Sequence, residues 1–307
     1  MRIAIVGSGG LGGYFGGRFA AAGVDVTFLA RGAHLEALRS GGLRIESPQG
    51  NLHLARVSAT DDASTVGAVD VVLFAVKLYD TASAVGLLPP LIGPDTVVIP
   101  FQNGVESVEM LARAIDRSRL AAGTSYVQAF IAEPGVIRHV ALDRLIFGEL
   151  DGARTPRLER FFDVCRDAGV SPTLSDRIEV ELWSKFVHLS VLSGMTAVTR
   201  SPVGPLRDDP DLFAMWQAAL VETIAVARAR GVPLPRGLFD ELLTLLQQVP
   251  AQAGSSMLQD LERRRPLELP WLSGAVLRMG RALDVETPIH RFITTVLKPH
   301  VNGGLKA

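Results

Sequence analysis

The sequence predicts an α/β protein: a parallel sheet layered with helices in the first half, then an all-helical second half. Three observations carry this. Short apolar runs alternate with helical stretches from residue 2 to about residue 115. Two of those runs, Val69–Val76 (VDVVLFAV) and Thr96–Phe101 (TVVIPF), are apolar without alternation, as strands buried on both faces are. From about residue 176 onward the pattern is helical almost throughout. Strand and helix in turn mean βαβ units, which build a parallel sheet.

The elements follow in order. Arg2–Val6 is a short apolar strand, and Gly10–Ala22 a helix. Asp25–Ala30 is a second strand and Ala33–Ser40 a second helix. LRIESPQGNLHLARV reads as two short strands around a Pro-Gln-Gly-Asn turn. Asp80–Leu88 and Val105–Ile115 are the helices after the two apolar strands. GTSYVQAF, GVIRHVAL and RLIFGEL, between residues 120 and 150, read as strands in antiparallel arrangement. The boundary falls between residues 165 and 176, giving domains of 1–170 and 171–307 with no flexible linker between them.

Composition narrows the class. With 307 residues, 48% of them hydrophobic, there is material for one large or two medium cores. A net charge of -1 offers no field for nucleic acid or an anionic membrane. The single cysteine, Cys165, excludes an internal disulfide and a Cys-rich metal site, which fits a reducing cytoplasm. The histidines lack metal-ligand spacing, so no metal is expected. The apolar N-terminus is short and broken by glycines, unlike a signal peptide. No stretch reads as the roughly 20 apolar residues that span a bilayer. A soluble, cytoplasmic protein is expected.

Between the first strand and the first helix stands Gly7-Ser8-Gly9-Gly10-Leu11-Gly12, a G-x-G-x-x-G loop. The first glycine permits the tight turn, the second lets backbone approach a pyrophosphate, and the third lets helix and strand pack closely. Helix N-terminal amides then favour the phosphate charge. Gly16 and Gly17 would thin the helix against the sheet. The first domain is therefore expected to be a Rossmann-type dinucleotide-binding domain. The second strand runs into Arg31 rather than into an acid, which suits a ribose 2′-phosphate and so NADP(H).

SDRIEVELWSKFVHLSVLSGMTAVTR is a helix, with Ser175 or Asp176 to cap it and Glu179 and Glu181 in its early turns. Ile178, Leu182, Lys185, Leu189, Leu192 and Thr196 share one face. A lysine inside an apolar stripe is one whose pKa can move. Pattern alone also allows Lys185 to snorkel from the stripe edge or to pair with Glu181 one turn earlier.

GSGGLG, FAVK ending at Lys77, FQNG with Asn103, ELWSK with Lys185, and SSMLQD from Ser255 to Asp260 followed by Glu268 lie in one order. Together they resemble the ketopantoate reductase (2-dehydropantoate 2-reductase) family over nearly the whole chain. The resemblance implies an NADPH-binding domain over which a helical domain closes, and hydride delivery to the carbonyl carbon of a small 2-oxo acid. It casts Lys185 as the group that protonates or hydrogen-bonds the carbonyl oxygen. Glu268 would hold the substrate hydroxyl, Ser256 the carboxylate, and Asn103 the nicotinamide and substrate end. Arg31 and Lys77 would lie near the adenosine phosphate. Taken singly, Asn103-Gly104 also reads as a turn and Ser255-Ser256 as helix caps.

The chain departs from the family at Leu189 and Ser193, where two substrate-contacting asparagines are usual. Ser193 stays among the implied substrate contacts, but a leucine cannot replace an amide's hydrogen bonds. The departure implies either a weaker ketopantoate enzyme or a relative for a different, more apolar 2-oxo acid. A 3-hydroxy acid dehydrogenase and a non-catalytic NADP(H) sensor are the competing readings. The helices of the second domain offer surface for a homodimer, though no pattern demands one.

Overall fold

The computed structural model describes residues 1–304. It divides the chain into two compact units: residues 1–102 with 106–178, and residues 103–105 with the chain from Glu179 onward.

The first unit holds two sheets. Its strands and helices run β1 (Arg2–Val6), α1 (Gly10–Ala21), β2 (Asp25–Leu29), α2 (Gly32–Gly41), β3 (Leu43–Glu46), β4 (Leu52–Leu54) and β5 (Ser58–Thr60). They continue with β6 (Val69–Phe74), α3 (Thr81–Ala84), β7 (Ile92–Pro100), α4 (Ser107–Leu111), β8 (Ala122–Glu133), β9 (Val136–Gly148), α5 (Pro156–Asp167) and β10 (Ser171–Leu174). The first sheet is parallel, in the order β5-β2-β1-β6-β7. Its central strands are buried on both faces, which is why their sequences do not alternate. The chain winds from β1 to β2 on one side and returns to β6 and β7 on the other. The loop after β1 therefore sits at the switch point, where such sheets bind ligands.

The second sheet is built around β9, which pairs antiparallel with β8 and parallel with β3 and β10; β4 pairs antiparallel with β3. The two strand-like runs from Gly135 to Leu150 form one continuous β9, within which Leu142 takes a positive φ of 62°. Helix α1 contacts both sheets through glycine. A Cβ at Gly16 would stand 2.6 Å from the Phe28 ring, and one at Gly13 would stand 2.7 Å from Ile137. Five glycines in one helix cost about 1 kcal/mol each in propensity. The close approach they allow buries Tyr14, Phe15 and Phe19 completely or nearly so.

Elements shorten where apolar spacing fades. The helix expected over Asp80–Leu88 is one α turn, α3, continued by a 3-10 turn at Val85–Leu87. The helix expected over Val105–Ile115 is regular only in α4. Strand β5 and helix α5 carry no expectation in the sequence reading; β5 is a three-residue edge strand.

The second unit is helical: α6 (Ile178–Thr199, its first residue in the first unit), α7 (Val203–Asp208), α8 (Pro210–Ala229), α9 (Leu238–Gln248), α10 (Ser256–Glu262), α11 (Ser273–Ala282) and α12 (Pro288–Leu297). Its core gathers Trp183, Phe186, Val191, Met195, Trp216 and Leu220 with side chains from α9 to α12. Among the described residues, and against the sequence expectation, one helix, α8, is long and apolar enough to cross a membrane. Its Trp216, Ala219, Leu220, Thr223 and Ala227 lie in the core, which accounts for its hydropathy.

Candidate functional site

The loop after β1 has the geometry its glycines predict. Gly7 has φ +100°, and a Cβ there would stand 2.6 Å from the Val76 amide nitrogen. A Cβ at Gly12 would strike the Gly7 carbonyl, so helix and turn touch directly. Gly10 is pressed as closely on the Ala129 backbone of β8. Gly9 is different: nothing lies within 4 Å of the place its Cβ would take. Packing therefore does not require glycine at Gly9, and the bare backbone there leaves room for a ligand to approach. No side chain caps α1 and no acid sits in its first turn, so its N-terminus keeps its positive character. Ser8 is buried, and its hydroxyl donates to the Leu29 carbonyl, tying the loop to β2. Leu11 is half-buried beside it. These residues fit a dinucleotide pyrophosphate.

Arg31 stands just past β2, as the residue before α2, and is exposed. Its guanidinium pairs with Asp80 at 3.5 Å. Lys77 lies in the corresponding place after β6, at the start of a 3-10 turn over Leu78–Asp80. Because β2 and β6 flank β1, all three side chains belong to the loops beside the glycine turn. Gln102, two residues past β7, donates to the Val76 carbonyl and to Thr81 Oγ1, fixing the loop after β6.

The second unit brings together three of the residues named from sequence. Lys185, two turns into α6, donates through Nζ to Asn103 Oδ1 at 3.4 Å. Asn103 Nδ2 donates in turn to Glu268 Oε2 at 3.2 Å. Asn103 thus bridges a cation and a carboxylate from segments 83 residues apart (268 − 185). The Asn-Gly turn that follows is formed by Gly104 at φ +84°. Glu268 is buried, only 5% exposed. Burial pushes the Lys185 ammonium down from the ordinary lysine value to about 8, and the Glu268 charge opposes the shift. The Lys185 ammonium thus meets Asn103, and the Glu268 charge acts on it.

The other expected substrate residues are placed differently. Ser193 lies two turns beyond Lys185 on α6, wholly buried, its hydroxyl without a hydrogen-bond partner among the described residues. Ser255 is the buried cap of α10: its Oγ accepts from the Leu258 amide and shares a 2.7 Å bond with Thr196. Ser256 follows as the first, exposed residue of α10. Leu189 is half-buried, one turn from Lys185.

Two residues were not singled out for function by sequence reasoning. His188 feels the Lys185 charge; burial first, and that cation second, push it down to about 4, so it stays neutral near pH 7. Its spacing of three from Lys185 was the available signal. Asp80, the partner of Arg31, had none, since it lies 49 residues from Arg31 on another loop. Among the described residues, no group of His, Cys, Asp and Glu is arranged to hold a metal ion.

Residues 3–152 match the family model for ketopantoate reductase PanE/ApbA, and residues 177–301 match its C-terminal model. The 2-dehydropantoate 2-reductase of Mesorhizobium japonicum is 32% identical, with 94% of each chain covered. The PanE/ApbA family ketopantoate reductase of Ralstonia eutropha JMP134 superposes with a TM-score of 0.90 at 32% identity, over 98% of each chain. D-mandelate dehydrogenase, solved with NADH and anilino(oxo)acetate, shares the fold at a TM-score of 0.89 and 20% identity, over 98% of each chain. An N-terminal Rossmann-type α/β domain, a helical C-terminal domain and matches over both halves lead to one assignment: this chain belongs to the ketopantoate reductase PanE/ApbA family.

Proposed function

We propose that this protein is a cytoplasmic NADPH-dependent reductase of a 2-oxo acid, with 2-dehydropantoate as the first substrate to consider and pantoate as its product. The observation that carries this reading is the Lys185–Asn103–Glu268 chain of hydrogen bonds, with a lysine whose pKa is lowered toward neutrality. When bound, NADPH supplies the hydride. Gly7, Gly9 and Gly12 shape the turn that holds the pyrophosphate, with Ser8 bracing it and Gly10 and Leu11 opening α1. Arg31 and Lys77 offer positive charge for the 2′-phosphate. The shared fold of D-mandelate dehydrogenase, solved with NADH, means that cofactor choice rests on these side chains rather than on the fold.

Lys185 orients and polarises the substrate carbonyl, and its ammonium stabilises the negative charge that grows on oxygen as hydride arrives. The proton then passes from Nζ to the alkoxide, a transfer eased by a donor pKa of about 8. Glu268 keeps Lys185 charged against the pull of burial and accepts a hydrogen bond from the substrate hydroxyl. Asn103 fixes the distance between them. Ser256 and Ser193 are the remaining candidates for substrate contact.

A second reading, a reductase for a more apolar 2-oxo acid, is favoured by one observation. Leu189 presents an alkyl chain one turn from Lys185, where an amide would hydrogen-bond a hydroxylated substrate. The test is NADPH oxidation with 2-dehydropantoate beside a panel of 2-oxo acids with alkyl and aryl side chains. Highest kcat/KM on 2-dehydropantoate supports the first reading; highest on an apolar acid supports the second. No turnover on any member contradicts both. Leu189→Asn is expected to lower KM for 2-dehydropantoate by roughly tenfold, the worth of one good hydrogen bond. An unchanged KM would remove Leu189 from the specificity argument.

A further inference from the structure

The carboxylate that Rossmann-type domains use to hold a ribose diol is absent from the end of β2, where Arg31 stands. A carboxylate reaches the same place from another loop. Asp80 Oδ1 lies 3.5 Å from Arg31 Nη2, both groups being exposed. Asp80 precedes α3, yet its side chain makes no capping bond to that helix. The backbone carbonyl, not the carboxylate, receives the Ser83 hydroxyl. Among the described residues its ion pair runs to Arg31, the residue read as the 2′-phosphate ligand.

We propose that Asp80 sets the cofactor selectivity of this chain: its carboxylate accepts from the ribose hydroxyls of NADH and opposes the 2′-phosphate of NADPH through its hold on Arg31. This rests on the reading of Arg31 and the glycine loop as the dinucleotide site. A phosphate dianion beside Arg31 must share the guanidinium with Asp80 and bear the repulsion of a like charge. A free 2′-hydroxyl instead finds an acceptor. The wild-type chain thus binds both cofactors, with a preference for NADPH held below about tenfold, because exposed charges of this kind discriminate only modestly.

The test is the Kd of NADPH and of NADH, measured by fluorescence quenching at low ionic strength, for wild type, Asp80→Asn, Asp80→Ala and Arg31→Ala. Both Asp80 variants should bind NADPH about five- to tenfold more tightly and NADH about threefold more weakly, as loss of one exposed carboxylate predicts. Arg31→Ala should weaken NADPH and leave NADH nearly unchanged. If the ratio of the two Kd values is the same in Asp80→Asn, Asp80→Ala and wild type while Arg31→Ala weakens NADPH, the role of Asp80 is overturned and the cofactor reading stands. If Arg31→Ala leaves NADPH binding unchanged, the 2′-phosphate reading of Arg31 fails and the proposal fails with it.

Discussion

Lys185→Ala is expected to lower kcat by about 10²- to 10⁴-fold, the range for loss of a positioned proton donor or of an oxyanion-stabilising group. The reason lies in when the interaction matters. The ground-state carbonyl oxygen carries partial charge, whereas the oxygen receiving hydride approaches a full alkoxide. A cation at Nζ therefore gains strength along the reaction, and its loss falls on kcat more than on KM. Some stability is lost as well, because the buried Glu268 carboxylate is left without its cation. NADPH Kd and the thermal midpoint, measured beside steady-state rates, separate catalysis from damage. A variant with unchanged kcat would exclude Lys185 from the chemistry.

Glu268→Gln is the second large effect expected. The amide oxygen can still accept from Asn103, so the packing of the site survives. The charge that counters burial at Lys185 does not, and the Lys185 pKa should drop below about 8. Less of the enzyme then carries the ammonium at neutral pH, and the bond from the substrate hydroxyl is weakened as well. A fall in kcat/KM of about 10- to 100-fold at pH 7.5 follows from these two losses together. Glu268→Ala should cost more, because the Asn103 amide also loses its acceptor. A Gln variant with wild-type kcat/KM and an unmoved pH profile would show that Glu268 neither charges Lys185 nor touches substrate.

The fold was legible where periodicity is strong. VDVVLF announced a strand buried on both faces, and GSGGLG a turn between strand and helix, because each depends on neighbouring residues alone. Strand β5 was not legible: three residues at a sheet edge carry no period to detect. The run of β9 was hidden by Asp143, a charged residue between two apolar runs that reads as a break. At the site, Lys185 stood out as a cation in an apolar stripe, but its partners did not. Asn103 and Glu268 lie 82 and 83 residues from it, and no local rule spans that separation. Their order along the chain came from family resemblance, and their hydrogen bonds only from three-dimensional placement.

The most direct measurement is the pH dependence of kcat/KM for the 2-oxo acid that the panel selects, at saturating NADPH, from pH 6 to pH 10. If the ammonium of Lys185 is the working form, kcat/KM is level at low pH and falls tenfold per unit above about 8, as the lowered pKa requires. In Glu268→Gln the falling limb moves to lower pH. A profile that stays level through pH 10, or one that rises with pH, would contradict the account by showing that the charged lysine does not carry the reaction.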